Sequence, residues 1–107
     1  MSDRAALVVE WLELTRAVLP GMAEHRRWPV QADHCFQRIL LDAVCGGAWY
    51  DHVEGRPAYR AISLEGLEAA VKLAQAVAFE GLALEPLDAQ SLAWRRARSG
   101  THSNKVR

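Results

Sequence analysis

The sequence predicts an all-α protein, a compact bundle of four to five helices with no sheet. In several segments the apolar residues recur three and four positions apart, which is the spacing of a helix buried on one side. Proline and glycine separate these segments from one another. No stretch alternates apolar and polar residues for long enough to form a sheet.

The composition is typical of one globular domain. The chain has 107 residues, of which 50% are hydrophobic and 24% are charged, and this is too apolar for a disordered protein. We assign residues 1–98 to a single helical domain and residues 99–107 to a flexible basic tail. Apolar runs fall short of the ~20 residues of a membrane span, and the first residues do not resemble a signal peptide. We therefore expect a soluble, cytoplasmic protein without a membrane partner.

The first helix is predicted over residues 2–19, and Pro20-Gly21 is expected to end it. Residues 22–32 then form a connector. Because Trp28 precedes a proline, its backbone should be extended. Its ring is expected to hold the connector against the core.

The central helix is predicted to begin at Asp33, whose carboxylate is expected to act as the N-cap. Gly46-Gly47 should end or loosen this helix, because glycine is unfavourable in a helix interior. Trp49 and Tyr50 follow at once, so the chain can turn there and lay an aromatic pair on the core.

Two further helices complete the predicted bundle. Residues 51–62 are expected to be irregular, and Ser63 should cap a long helix that runs to about residue 80 and ends at Gly81. A last short helix is predicted from a cap at Asp88 to about residue 96. The buried stripe of the long helix is predicted to contain Leu64, Leu67, Val71, Ala74 and Ala78.

A narrow polar stripe distinguishes the central helix from the others. At 100° per residue, most of the circumference of this helix is apolar. The stripe consists of His34, Arg38, Asp42 and Cys45. Because a surface helix has a wide polar face, so thin a stripe predicts a helix buried on several sides.

The stripe has two interpretations, and both remain open at this level. In the functional one, Arg38 binds a carboxylate or a phosphate, and His34 acts as an acid or a base. In the structural one, Arg38 and Asp42 form an ion pair across one helical turn, and Cys45 fills space in the core.

No metal site and no cofactor are predicted. The spacing of His34, Cys35, Cys45 and His52 matches none of the usual zinc patterns. The two cysteines would lie ~15 Å apart along one helix, too far for a disulfide. Cys45 would lie near the negative end of the helix dipole, which disfavours a thiolate, so we do not expect it to be a nucleophile.

The C-terminal part of the chain carries the positive charge. All 13 acidic residues and 8 of the 13 basic ones lie in residues 1–94, which gives this part a net charge of −5 and the remainder +5. Because the acidic body opposes it, we do not expect the tail to bind nucleic acid at physiological salt. Trp94 should point away from Ala89, Leu92 and Ala93. It either packs on a second surface of the domain or contacts a partner beside Arg95.

Three stretches resemble a family of small bacterial proteins. They are DHCFQRILLDAVCGGAWYDH at 33–52, RPAYR at 56–60 and SLAWR at 91–95. The resemblance covers most of residues 28–95. Members of this family are sometimes labelled GNAT-type N-acetyltransferases, a label that implies a central mixed sheet and a glycine-rich loop for acetyl-CoA. The present sequence has neither the strand pattern nor the loop, so we do not expect this chain alone to transfer acetyl groups.

Two main classes of function fit these observations, and nucleic-acid binding through the basic C-terminal tail is a third, weaker alternative. The first is a small helical binding or accessory module, which meets an anionic small molecule or a protein partner through the stripe, Trp49, Trp94 or Arg95. The second is an enzyme that acts on an anionic substrate through His34, Arg38 and Asp42. Either a monomer or a homodimer is possible, since Leu41 beside the stripe must be covered by the chain itself or by a second copy. We favour the monomer.

Overall fold

The computed structural model describes the backbone of residues 3–106 and the side chains of residues 3–98. Every regular element in these ranges is helical, which confirms the predicted all-α bundle without a sheet. The elements are α1 (Arg4–Glu13), a π-helical segment (Leu14–Val18), α2 (Leu19–Arg26), α3 (Asp33–Cys45), a 3₁₀ turn (Trp49–Asp51), α4 (Ala58–Ala61), α5 (Leu64–Phe79) and α6 (Glu85–Val106). None of the described helices is both long and apolar enough to cross a membrane.

The first helix does not end at Pro20-Gly21, so that prediction was wrong. It continues through the π-helical segment into α2, and Arg27, with φ +56°, ends it. The N–H of Leu19 reaches back five residues to the carbonyl of Leu14. This wider turn already interrupts the α-helical hydrogen bonds, so the N–H that Pro20 lacks is not needed in the first turn of α2.

The centre of the molecule is α3, which packs against α2, the π-helical segment, α5 and α6. The prediction that this helix is buried on several sides is confirmed. Gly46, with φ +73°, ends α3 as expected. The residues of α3 that are buried are Phe36, Ile39, Leu40, Leu41 and Asp42.

The entry to α3 was predicted with a mistake of one residue. Ala32 is the N-cap, and Asp33 is the first helical residue, with its carboxylate accepting the N–H of His34. The connector before it is shorter than the predicted 22–32, because α2 extends to Arg26, but its tryptophan packs on the core as expected. Trp28 is buried and lies edge-on to Phe36, with the ring centroids 5.7 Å apart.

The helix α5 follows the prediction closely. The hydroxyl of Ser63 accepts the N–H of Gly66 at 3.0 Å, and Gly81 follows the helix with φ +76°. Four members of the predicted stripe are buried, whereas Leu64 is 39% exposed. Leu64 is the first residue of the helix, and the core does not extend to this first turn. The helical period gives only the face on which a residue lies, so it could not predict this.

The last helix differs most from its prediction. It begins at Glu85 rather than after Asp88, and its backbone stays helical to Val106 rather than to residue 96. The face toward the core was also predicted wrongly, because Leu92 is 41% exposed while Asp88 and Ser91 are buried. The tail predicted to be flexible, residues 99–107 with Lys105 and Arg107, lies outside the side chains that the structure describes.

Candidate functional site

A buried carboxylate on α3 is the centre of a polar cluster. Asp42 is fully buried, and its two oxygens accept four hydrogen bonds. The donors are the N–H of Trp49 at 2.9 Å, the hydroxyl of Ser91 at 2.6 Å, and Nε and Nη2 of Arg95 at 2.8 and 3.1 Å. The carboxylate is therefore saturated, as a buried charge has to be.

A second ion pair lies one turn away on the same interface. Arg38 donates to Asp88 at 2.8 Å and to the hydroxyl of Ser91, also at 2.8 Å. Since Ser91 in turn donates to Asp42, it joins the two pairs. We call these five residues, which are Arg38, Asp42, Asp88, Ser91 and Arg95, the α3–α6 network.

The network corrects the predicted ion pair between Arg38 and Asp42. Each of these residues pairs with a partner on α6 instead of with the other. A pair within one helix would have left Asp88 without its cation and Arg95 without its anion at the same interface. Crossing between the helices satisfies all four charges.

Beside the network, a cavity of about 660 Å³ opens between α3, the 3₁₀ turn and the segment that leads into α4. Its volume falls in the range of small-molecule sites, ~300–1,000 Å³. Among the side chains that the structure describes, its lining includes three arginines and no carboxylate. The described lining residues are His34, Gln37, Arg38, Leu41, Trp49, Tyr50, Arg56, Pro57, Ala58, Tyr59 and Arg95.

The three arginines of the cavity differ in their partners. Arg38 and Arg95 are 18% and 28% exposed, and each is paired with a carboxylate behind the cavity wall. The hydrogen bond to Asp42 raises the pKa of Arg95 above its usual value. Arg56 has no ion pair among the residues that the structure describes, and its guanidinium lies 5.8 Å from the ring centroid of Trp49.

The aromatic side of the cavity is held by cations. Trp49 and Tyr50 meet edge to face, with ring centroids 5.8 Å apart. Tyr50 has Arg95 and Arg98 near its ring, at 5.0 and 4.9 Å from the centroid. Arg98 is itself fixed by Asp51, to which its Nε donates at 2.8 and 3.0 Å.

The opposite side of the cavity is fixed to α1. Arg4 donates to the carbonyl of Ile62 at 2.6 Å and to that of Tyr59 at 3.2 Å. These hydrogen bonds hold α4, which carries Ala58 and Tyr59 of the lining, and the residue just after it. The cavity is thus built by four separate parts of the chain, which explains why no single sequence motif revealed it.

The predicted site residues are only partly brought together. The cavity gathers His34, Arg38, Trp49 and Arg95, while Asp42 lies behind its wall. His34 is on the rim, with a side chain that is 81% exposed and lies 3.7 Å from Asp33.

Two predicted candidates lie elsewhere. Cys45 belongs to a different cavity of about 430 Å³, which His52 and Glu54 also line. Burial, with a smaller effect of the charge on Asp42, raises the pKa of the Cys45 thiol. Trp94 is half-buried and lines neither cavity. Within the described part of the chain, no three histidine, cysteine or acidic side chains are grouped to hold a metal ion.

Leu41 bears on the question of self-association. It is buried, with 3% of its surface exposed, and it forms part of the cavity wall. The chain therefore covers this residue without a second copy, and the oligomeric state stays a prediction.

Several residues of the site were not predicted. Asp88 and Ser91 are among them, and together with the predicted Arg95 they are spaced three and four positions apart, so they form one polar stripe on α6. A search for polar as well as apolar residues at helical spacing would have found it. Arg56 and Tyr59 lie in a segment that has no period, and only the fold brings them to α3.

No protein-family model matches this chain, and neither a curated protein nor a solved structure is detectably similar to it. The resemblance to proteins labelled as acetyltransferases therefore stays a prediction. What the cavity does has to be inferred from its own chemistry.

Proposed function

We propose that this protein is a helical binding module that takes a small anionic ligand in the cavity beside α3. The observation that carries the proposal is the composition of the lining, in which the described side chains include Arg38, Arg56 and Arg95 but no carboxylate. Guanidinium groups recognise carboxylate and phosphate oxygens through paired N–H donors. The aromatic and aliphatic residues beside them supply apolar surface for the rest of the ligand.

The α3–α6 network supports the proposal because it fixes two of the three arginines in advance. Arg38 uses two N–H groups on Asp88 and Ser91, and Arg95 uses two on Asp42. A guanidinium has about five N–H donors, so each retains donors for a ligand. Side chains that are already ordered lose little entropy on binding, which favours affinity.

Backbone amide chemical shifts in a ¹⁵N-labelled sample test the proposal. The sample is titrated with a panel of small carboxylates, phosphates and neutral compounds. We expect anions to shift the amides of residues 34–41, 49–59 and 95 together, and to saturate. Neutral compounds of the same shape should bind more weakly. Shifts confined to other surfaces, or none with any anion, would contradict the proposal.

The enzyme considered from the sequence gains no support from this geometry. Asp42 accepts four hydrogen bonds and is fully buried, so it does not face the cavity as an acid or a base. Nucleic-acid binding by the C-terminal cations gains none either, since Arg95 and Arg98 are paired with Asp42 and Asp51.

A further inference from the structure

We propose that the cavity selects a ligand with one negative charge and a flat apolar body, such as an aromatic monocarboxylate. This inference rests on the proposed function and narrows its ligand class. Two features carry it, the charge balance around the three arginines and the aromatic and aliphatic residues that line the cavity with them.

The charge balance depends on ion pairs in which the arginine lines the cavity and the carboxylate does not. Asp88 lies 2.8 Å from Arg38, and Asp42 lies 2.8 Å from Arg95, so these two arginines are neutralised from behind. Arg56 keeps its charge, since the described side chains offer it no carboxylate within ion-pair distance. The three arginines of the lining and the two carboxylates paired with them therefore carry one net positive charge, and Arg60, which lies beside the ring of Tyr59, does not belong to the lining.

One net charge favours one anion. A first negative charge on a ligand is compensated by Arg56. A second negative charge on the ligand would have no cation to compensate it. It would be repelled by Asp42 and Asp88 and would also lose its hydration. His34 does not change this balance, because its side chain is 81% exposed and has Asp33 beside it.

The cavity nevertheless offers more hydrogen-bond donors than its single net positive charge would suggest. Arg38 and Arg95 both line the cavity, and each uses only two of about five N–H groups on the network. The site can thus hydrogen-bond several ligand oxygens while it balances a single charge. This combination fits a carboxylate, alone or with a neutral hydroxyl or carbonyl nearby, better than it fits a phosphate.

The apolar side of the cavity indicates a flat body. Trp49 and Tyr59 supply aromatic surface, and Leu41 and Pro57 supply aliphatic surface. Aromatic rings stack favourably with planar groups, and the guanidinium of Arg56 beside Trp49 places the positive charge next to that stacking surface.

Three naphthalene probes with a common body test the inference. They are 2-naphthoate (one charge), 2-naphthyl phosphate (two charges at about pH 8, where its second proton is lost) and 2-naphthalenemethanol (neutral). Affinities are measured by calorimetry, and the site is verified by the amide shifts of residues 34–59. We expect 2-naphthoate to bind about tenfold more tightly than each of the others, as one partly exposed charge pair allows.

Arginine variants provide the matched control. Arg56→Gln should abolish the preference for 2-naphthoate over the alcohol. Arg26→Gln removes an arginine in the same relation to a tryptophan, 5.8 Å from the ring of Trp28, but Trp28 does not line the cavity. It should leave the preference unchanged. Equal effects of the two variants would overturn the inference.

Two charge-changing variants sharpen the test. Asp88→Asn keeps an acceptor for Arg38 but adds one unit of net positive charge, so it should shift the preference toward 2-naphthyl phosphate. Arg56→Glu at an exposed position changes the charge by two units in the opposite direction, to one net negative charge, and it should favour 2-naphthalenemethylammonium over 2-naphthoate. Because Arg56 is exposed, this second variant remains informative if Asp88→Asn fails to fold.

The outcomes separate the two proposals. If wild-type protein binds the phosphate more tightly than the carboxylate in the cavity, the inference is wrong and the proposed function stands. The same holds if neither charge-changing variant alters the preference. If no anion shifts the amides that line the cavity, the proposed function itself is wrong.

Discussion

The packing of α5 on α1 and that of α6 on α3 use opposite chemistry. The buried residues of α1 and α5 are all apolar, with Leu7 and Trp11 on one helix and Leu67, Val71 and Ala74 among those on the other. From Glu85 to Arg98, by contrast, the only buried residues of α6 are Asp88 and Ser91, and both are polar.

The difference explains which helix can build a site. An apolar interface gains stability from area alone and leaves no polar group to meet a ligand. The α3–α6 interface has to order guanidinium groups in order to satisfy its buried carboxylates, and two of these guanidiniums, those of Arg38 and Arg95, line the cavity. The same contacts that attach α6 therefore prepare the cavity for an anion.

Removing the central carboxylate should have the largest effect on stability. We expect Asp42→Ala to lower the free energy of unfolding by about 3–5 kcal/mol, because it leaves Arg95, Ser91 and the N–H of Trp49 without their acceptor. Chemical denaturation measures the change. Asp33→Ala, at the half-exposed start of the same helix, is the control and should cost under ~1 kcal/mol. Equal losses would show that the network does not hold α6.

The next largest effect on stability is expected when a substitution leaves an empty space in the apolar interface of α1 and α5. Leu67→Ala, at a fully buried position of α5, should cost about 2–5 kcal/mol through lost burial and the space left behind. It should not change which anions bind, because Leu67 is absent from the lining of the cavity. Chemical denaturation and the naphthoate titration are run on the same variant. A changed anion preference would mean that the two interfaces are coupled.

Two arginines on α6 allow an ion pair with a buried carboxylate to be compared with one that has an exposed carboxylate. Both lie near Tyr50, but Arg95 pairs with a fully buried carboxylate and Arg98 with Asp51, whose side chain is 40% exposed. Arg95→Ala should cost about 2–3 kcal/mol, less than the loss of Asp42 because part of the guanidinium is in water. Arg98→Ala should leave the melting temperature nearly unchanged. The reverse order in thermal melts would contradict this account.

The smallest expected effect is a shift in the thiol pKa of Cys45, which depends in part on the charge of Asp42. Burial and, to a lesser extent, that charge raise the pKa of the thiol above its usual value of 9.0. A raised pKa means less thiolate at a given pH, so the alkylation rate of Cys45 in a Cys35→Ser variant should reach half of its maximum only above pH 9.0. Mass spectrometry follows the reaction, and Asp42→Asn should lower the midpoint. A midpoint at or below 9.0 would disprove the shift.

The sequence predicted best where a segment is apolar on one side and has a clear start signal. The helix after Ser63 was placed within one residue, and α3 was recognised as a helix buried on several sides. The first helix was predicted too short, because Pro20 normally ends a helix and nothing in the sequence shows that a π-helical turn precedes it. The interface of α6 was predicted on the wrong face, since Leu92 is more apolar than Ser91.

The sequence alone determined the all-α class, the central position of α3 and the presence of Arg38 and Asp42 on one polar stripe. Each of these follows from the helical period, which relates residues only a few positions apart. The tertiary structure decided the partners of those two residues, the inward face of α6 and the presence of Arg56 and Tyr59 in the same cavity as Arg38. These depend on contacts between residues about 20 to 50 positions apart, which the helical period does not relate. Between α3 and α6, the buried charges are satisfied by ion pairs across the two helices rather than by a pair within one helix.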